Sequence, residues 1–251
     1  MSKHAYGYLP DLRDFRDHHY SAPYEHVLAL PSSVDLRPQC PPVEDQGQLG
    51  SCTSFAVGAA IRFARKKQGL PDFVTSHLFL YYNSRAMEGT VNSDAGAVIR
   101  DVIKSANKQG DCPELEWPYD ISKFTVQPPA KCYQDALKDR ALSYQRVARS
   151  LAQMKGCLAS GLPFVVGISV YESFESDEVA RTGMVPMPQP GEQLLGGHAV
   201  LCVGFRDSDQ KWIFRNSWSA SWGDQGHFYL DYAYLLNKGL SSDFWVVKTV
   251  G

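Results

Sequence analysis

The chain has 251 residues, 44% of them hydrophobic, and a formal net charge of −2. That length can bury one or two substantial cores, and the near-neutral charge excludes the basic field that nucleic-acid binding requires. No stretch reaches the apolar length of a membrane span, and Met1 to Tyr6 lacks an apolar signal core. Location stays open: a secreted or periplasmic protein after signal removal and a cytoplasmic protein both fit.

In chain order, residues 1–30 form an extension whose Tyr6, Tyr8, Leu9, Asp11 and Arg13 show no helical periodicity. It is expected either to pack on the body as an ordered strap or to lie in a cleft and block it. Phe55, Ala56, Ala59, Ala60 and Phe63 then recur at the spacing of one helical face, so Cys52 opens a helix that Gly69-Leu70-Pro71 ends. Further helices are expected around Ser76 to Ser84 and Ala97 to Lys108, before Pro113, Pro118, Pro128 and Pro129 break the chain. From about Leu142 the pattern turns to strands, apart from an amphipathic stretch from Leu151 to Leu158. Phe164 to Val170 comes first, followed by Ala199 to Phe205, Trp212 to Arg215, Phe228 to Leu230 and Phe244 to Val250. Tyr171 to Leu195 reads as an insertion, with Met184 to Gly191 looped by its prolines. Helices followed by strands give an α+β chain of two segregated domains, 31–140 mainly helical and 141–251 mainly β. No internal repeat or low-complexity segment is visible.

Cys52 is the candidate nucleophile. At a helix N-terminus the free backbone N–H groups and the dipole favour a thiolate. A lone cysteine there is more often a small buried hydrophobe, and what changes the reading is its company. His198 begins one apolar strand and Asn216 ends another, so neighbouring antiparallel strands would present both at one end of a sheet. An asparagine oxygen there can accept the imidazole N–H and fix its tautomer, and Trp218 would cover that bond. Of the other five cysteines, Cys157 and Cys202 read as buried thiols, whereas Cys40, Cys112 and Cys132 stand in irregular segments with room for one disulfide. No close Cys or His pairs have the spacing of a structural zinc site, so no metal and no cofactor are expected.

These motifs, in this order, resemble the papain-like cysteine peptidases from Leu30-Pro31-Ser32-Ser33-Val34-Asp35 to Phe244-Trp245-Val246-Val247. The resemblance implies a two-domain α+β fold, a helical left domain and an antiparallel β-barrel-like right domain with the active site in the cleft between them. It implies Gln46 and the Cys52 N–H as oxyanion donors, Cys52 as nucleophile, His198 as general base and acid, Asn216 as orienting residue and Trp218 as support. For substrate it implies a backbone contact at Gly96 and a P2 pocket lined by Gly167 and Gly197 and floored by Ser242 or Asp243; Trp222 is a further substrate-side candidate. An inward Asp243 would favour a basic P2 residue, and an outward one a bulky apolar residue. Leu49 and Thr53 depart from the local signature, which has a cysteine and an aromatic there. The loop disulfide of relatives therefore cannot form, and the combination points to the bacterial, xylellain-like branch. The expected activity is endopeptidase hydrolysis of peptide or protein substrates by a monomer. Alternatives are an exopeptidase, an acyl transferase using the same thioester and, last, a non-catalytic binding module.

Overall fold

Helices dominate the first half of the chain and strands the second in the computed structural model, which describes residues 3–251. In chain order the elements are β1 (Tyr8–Leu9), β2 (His19–Tyr20), α1 (Tyr24–Leu28), β3 (Ser33–Asp35), α2 (Cys52–Lys67), α3 (His77–Glu88), β4 (Ala97–Val98), α4 (Ile99–Lys108) and α5 (Ala130–Ala136). There follow β5 (Ala141–Val147), α6 (Leu151–Ala159), β6 (Phe164–Tyr171), α7 (Asp177–Thr182), β7 (Leu194–Arg206), β8 (Lys211–Arg215), β9 (His227–Asp231), α8 (Tyr232–Leu236) and β10 (Ser241–Val250). An eight-stranded sheet runs β2-β5-β10-β6-β7-β8-β9, with β3 added on β7, and its pairings are antiparallel except β2 with β5. This is an α+β architecture, helices on one side and a mostly antiparallel sheet on the other.

α2 is buried on every face from Cys52 to Arg65, where one apolar face was expected. The reason is its position: β7 and β10 pack on one side of it, α3 and α4 on the other. Small residues Ala56, Gly58, Ala59 and Ala60 let these neighbours approach. Arg65, Lys66 and Lys67 end the helix with positive charge, which suits the negative pole of its dipole.

Several boundaries differ from the sequence reading. Ala97 and Val98 do not begin a helix: they form a strand paired in parallel with Tyr8 and Leu9, and the helix starts at Ile99. A two-residue strand has no signature of its own and exists here because a distant partner pairs with it. The first strand of the second half is Ala141–Val147, ahead of Phe164–Tyr171. Within Tyr171 to Leu195, a 3₁₀ turn at Glu172–Glu175 and α7 precede the Met184–Gly191 stretch, which has no helix or strand. All six cysteines are free thiols.

The two halves are joined behind the groove by residues 44–46 and 215–219. The Gln46 N–H donates to Ser217 O at 2.9 Å, the Ser219 N–H donates to Glu44 O at 3.2 Å, and Asp45 bridges Trp218 in β fashion. The Glu44 carboxylate meets His77 at 3.3 Å, Arg62 at 3.4 Å and Arg215 at 3.2 Å. Burial opposes its charge, but His77, Arg215 and Arg62 outweigh burial and hold it at about 2.

Candidate active site

Cys52 is the first residue of α2, where the backbone N–H groups have no intrahelical acceptor. Its Sγ accepts the Ala199 N–H at 3.4 Å and lies against the N–H groups of Gly7 and Thr53. Ala199 follows His198 on β7, so this contact seats the thiol beside the imidazole. β7 and β8 are paired with Leu201 opposite Arg215, so His198 and Asn216 emerge at the same end of the sheet. The His198 Nε2–H donates to Asn216 Oδ1 at 2.8 Å, and the Ser217 N–H donates to the same oxygen at 2.9 Å, which fixes the amide orientation. His198 Nδ1 is buried and has no hydrogen-bond partner among the described residues. Trp218 stacks on the imidazole at 4.7 Å and 20° and shields the His198–Asn216 bond.

Gln46 is fully buried. Its Oε1 accepts the Ser217 hydroxyl at 2.7 Å, so Nε2 is turned to the groove, donating to Leu49 O at 2.9 Å and Ala5 O at 3.1 Å. The loop carrying Gln46 and Cys52 is held by hydrogen bonds. The Gly50 N–H donates to both Asp94 oxygens at 3.1 and 3.0 Å, and the Tyr81 hydroxyl donates to that carboxylate. The Tyr119 hydroxyl donates to Gln46 O at 2.8 Å and meets Ser51 Oγ at 2.6 Å.

The groove is occupied by the chain's own N-terminal segment. His4 stacks on Trp218 at 3.8 Å, and Tyr6 sets its edge to His198 at 6.1 Å. The Ala97 N–H donates to Gly7 O at 2.8 Å. Tyr8 fills the pocket expected at P2. A Cβ at Gly167 would lie 2.0 Å from Tyr8 Cζ, and one at Gly197 would lie 2.5 Å from Tyr8 O. The Tyr8 hydroxyl meets Asp243 Oδ2 and Ser242 Oγ, each at 2.5 Å. Asp243 has a left-handed φ of 57°, within an irregularity of β10 between Ser242 and Trp245, and is turned inward. Arg146 already pairs with it at 3.1 Å. The strap thus both packs on the body and fills the cleft.

Beyond Tyr8, Asp11 pairs with Arg146 at 2.8 Å and Arg100 at 3.1 Å, with Asp17 on the same two guanidinium groups at 3.0 and 2.9 Å. Burial, then the neighbouring Asp243 charge, raises the Asp11 carboxyl to about 6 against the pull of Arg146.

One expectation shifts. Gly96, at φ 77°, gives its N–H to the Tyr81 hydroxyl at 3.1 Å, and the strap's hydrogen bond comes from Ala97; a Cβ at Gly96 would lie 2.3 Å from Gly7 O, so this glycine provides clearance. Trp222 keeps 8% exposure and packs in an aromatic cluster with Phe174, Phe228 and the Trp218 ring. The sequence reading missed Gly196, where a Cβ would fall 2.7 Å from Tyr6 Cβ, and the Gly196-Gly197 doublet was its signal. Asp94 and Tyr119 carried none.

In this closed state the thiol and imidazole are both neutral at ordinary pH. Burial pushes the Cys52 thiol up to about 11, against the N–H groups of Ala199, Gly7 and Thr53 that favour the thiolate. Burial also pulls His198 down to about 4, against its bond to Asn216. The covering segment is part of what desolvates both groups.

A sequence profile described as papain family cysteine protease matches residues 30–243. An uncharacterized peptidase C1-like protein of Acanthamoeba polyphaga mimivirus is 43% identical over 215 residues, 82% of this chain and 69% of that one. Cysteine proteinase 1 of Entamoeba histolytica is 27% identical over 238 residues, 90% of this chain and 71% of that one. Among solved structures, xylellain, a cysteine protease from Xylella fastidiosa, is 44% identical with a TM-score of 0.92, covering 98% of this chain and 96% of that one.

Tyr8 anchors the segment, so Tyr8→Ala should raise the rate of Cys52 alkylation by iodoacetamide about tenfold or more, since labelling tracks the open population. An unchanged rate would mean that the segment is held without Tyr8. Docking carries Asp11 from about 3.9, the ordinary aspartate value, to about 6. The docked state therefore binds the Asp11 proton more tightly, so the Asp11 contribution favours docking as pH falls through 6 and is lost as pH rises. Burial lowers His4 in the same segment and acts with the opposite sign, so the Asp11 part is read as the ratio of wild type to Asp11→Asn in hydrogen exchange at residues 7 and 8. That ratio should show docking roughly ten- to a hundredfold weaker at pH 7.5 than at pH 4, and a ratio of opposite slope would refute the sign.

Proposed function

Since the chain belongs to the papain family of cysteine proteases and is a cysteine peptidase, we propose that it is an endopeptidase held latent by its residues 4–8. The observation that carries this is the path of that segment. Lys3 pairs with Asp177 past one end of the groove, and Asp11 reaches Asp243 and Arg146 past the other. A groove that holds a continuous chain on both sides of Cys52 has the form required to cut internal bonds. An exopeptidase would need one end closed.

The mechanism we infer begins when the segment leaves and water re-enters. Desolvation of Cys52 and His198 then falls, and the proton can pass from sulfur to Nδ1, giving a thiolate beside an imidazolium. The thiolate attacks the peptide carbonyl carbon, and the oxygen takes up charge between Gln46 Nε2–H and the Cys52 N–H. The Ala5 carbonyl oxygen, 3.1 Å from Gln46 Nε2, marks that donor in the closed state. Asn216 holds the ring while His198 gives its proton to the leaving amine. The imidazole next takes a proton from water, which attacks the thioester and restores the thiol.

The segment escapes this chemistry through its direction. In a substrate, the residue in the P2 pocket precedes the carbonyl under attack. Here Tyr8 fills that pocket and Ala5, earlier in the chain, presents its carbonyl to Gln46, so the backbone runs backwards. Its pairing with Ala97–Val98 is correspondingly parallel.

The side chain of Tyr8 also bears on specificity. Asp243 faces inward, but Arg146 already balances its charge, so a hydroxyl donor fits the pocket floor better than a second cation.

Cleavage mapping in a peptide mixture, with the segment released, should give products cut at internal bonds. Cys52→Ala should abolish them, and Gln46→Ala should lower kcat by about 10² to 10³. Products trimmed only from chain ends would overturn the endopeptidase reading. In a P2-varied library, Tyr should exceed Phe by about tenfold in kcat/KM, the worth of one buried hydrogen bond, with Lys and Arg below Tyr. A preference for Arg would show that Asp243 keeps free charge in the open enzyme.

A further inference from the structure

Two thiols outside the groove meet in the helical half. Cys112 follows α4, Cys132 lies in the first turn of α5, and their sulfurs and a Glu116 carboxylate oxygen all lie within 4.8 Å of one another. Both residues are buried, at 0% and 1% exposure. Each thiol makes a weak contact to a carbonyl, Cys112 to Pro113 O at 3.6 Å and Cys132 to Glu116 O at 3.7 Å, and the two thiols also meet each other. The third cysteine of the irregular segments, Cys40, bonds elsewhere, to Leu36 O at 3.4 Å.

We propose that Cys112 and Cys132 are a redox pair that closes into a disulfide and clasps residues 113–131 at their base. This segment has little regular structure, one 3₁₀ turn at Ile121–Lys123, so joining its ends removes closure entropy from the unfolded chain. It also reaches the catalytic groove, because Tyr119 lies within it and its hydroxyl holds Gln46 O and Ser51 Oγ. Ser76 Oγ–H donates to Trp117 O at 2.6 Å and Arg85 donates to Phe124 O, so the clasp would bind a segment already tied to α3.

The same three side chains suggest a metal, but among the described residues they supply three ligands where a closed structural site takes four. Burial and the adjacent Cys132 hold the Cys112 thiol far above its ordinary range. A disulfide is neutral and needs no counter-charge, so apolar burial suits it.

The chemistry balances with glutathione disulfide as oxidant. One cysteine thiolate attacks a glutathione sulfur, expelling a glutathione thiolate and leaving a mixed disulfide. The second cysteine thiolate then attacks the protein sulfur and expels the other glutathione thiolate. Two protons leave the protein thiols and two electrons pass to the glutathione pair. Local opening at the start of α5, or oxidation before the chain packs, gives the oxidant access.

The test uses the full Cys52→Ala chain, which removes the groove thiol, equilibrated across reduced-to-oxidised glutathione ratios, quenched in acid, alkylated and peptide-mapped. The expected result is a cross-linked pair of peptides carrying Cys112 and Cys132, with two alkyl labels lost together. The oxidised chain should melt about 5–10 °C above the reduced one, a shift missing from Cys52→Ala/Cys132→Ala. Full labelling of both thiols at every ratio would overturn the proposal, as would glutathione adducts without the cross-link. Stoichiometric zinc that protects both thiols until a chelator removes it would overturn it in favour of a metal site. The cross-link is read on Cys52→Ala itself, so the result does not depend on whether the Cys132 variant folds.

Discussion

The junction of residues 44–46 with 215–219 is the constraint on which the rest of the structure depends. Cys52 is carried by a helix and His198 by a sheet, and neither element alone fixes the distance between them. The backbone bonds of Gln46 with Ser217 and of Ser219 with Glu44, together with the Ser217 hydroxyl on Gln46 Oε1, set that relation within a few residues of both groups. Glu44 makes the junction costly to separate, because Arg62 and Arg215 are both nearly fully buried and would lose a charged partner. A single stretch of chain therefore sets both the docking of the halves and the aim of the Gln46 amide.

A second dependency follows from Leu49. With leucine in place of a cysteine at this position, the loop's geometry rests on a polar network: Asp94 takes the Gly50 N–H and the Tyr81 hydroxyl, while Tyr119 supports Gln46 and Ser51 from behind. Buried networks of this kind hold a unique geometry only when each member is satisfied. The loop consequently inherits the order of two remote segments, around Asp94 and around Tyr119. This links the 113–131 segment to a groove it does not line.

The meeting of Cys52, His198 and Asn216 was legible in the sequence because each sits beside an element with a strong local pattern: a helix start, two apolar strands and a tryptophan; Gln46 came only with the family resemblance. The inward turn of Asp243 was left open, since it depends on an irregularity of β10 that no local pattern announces. Ala97 and Val98 read as helix for a similar reason, being a strand only through pairing with Tyr8 and Leu9. The segment around Tyr8 has no periodicity, and its structure comes entirely from long-range partners: glycines that leave room, a carboxylate at the pocket floor and two guanidinium groups beyond it.

The backward segment is covalently part of the protein it covers, so it behaves as a tethered competitor. Its local concentration is set by the chain that connects it, at the millimolar level usual for short links, and does not change with dilution. Release is a unimolecular event, independent of how much of the protein is present. A peptide in solution must then compete with a ligand that never diffuses away, and apparent affinity falls in proportion to the fraction of molecules that are open. Conditions that shift that fraction would scale the activity toward every substrate by the same factor and leave the order of preference among them untouched.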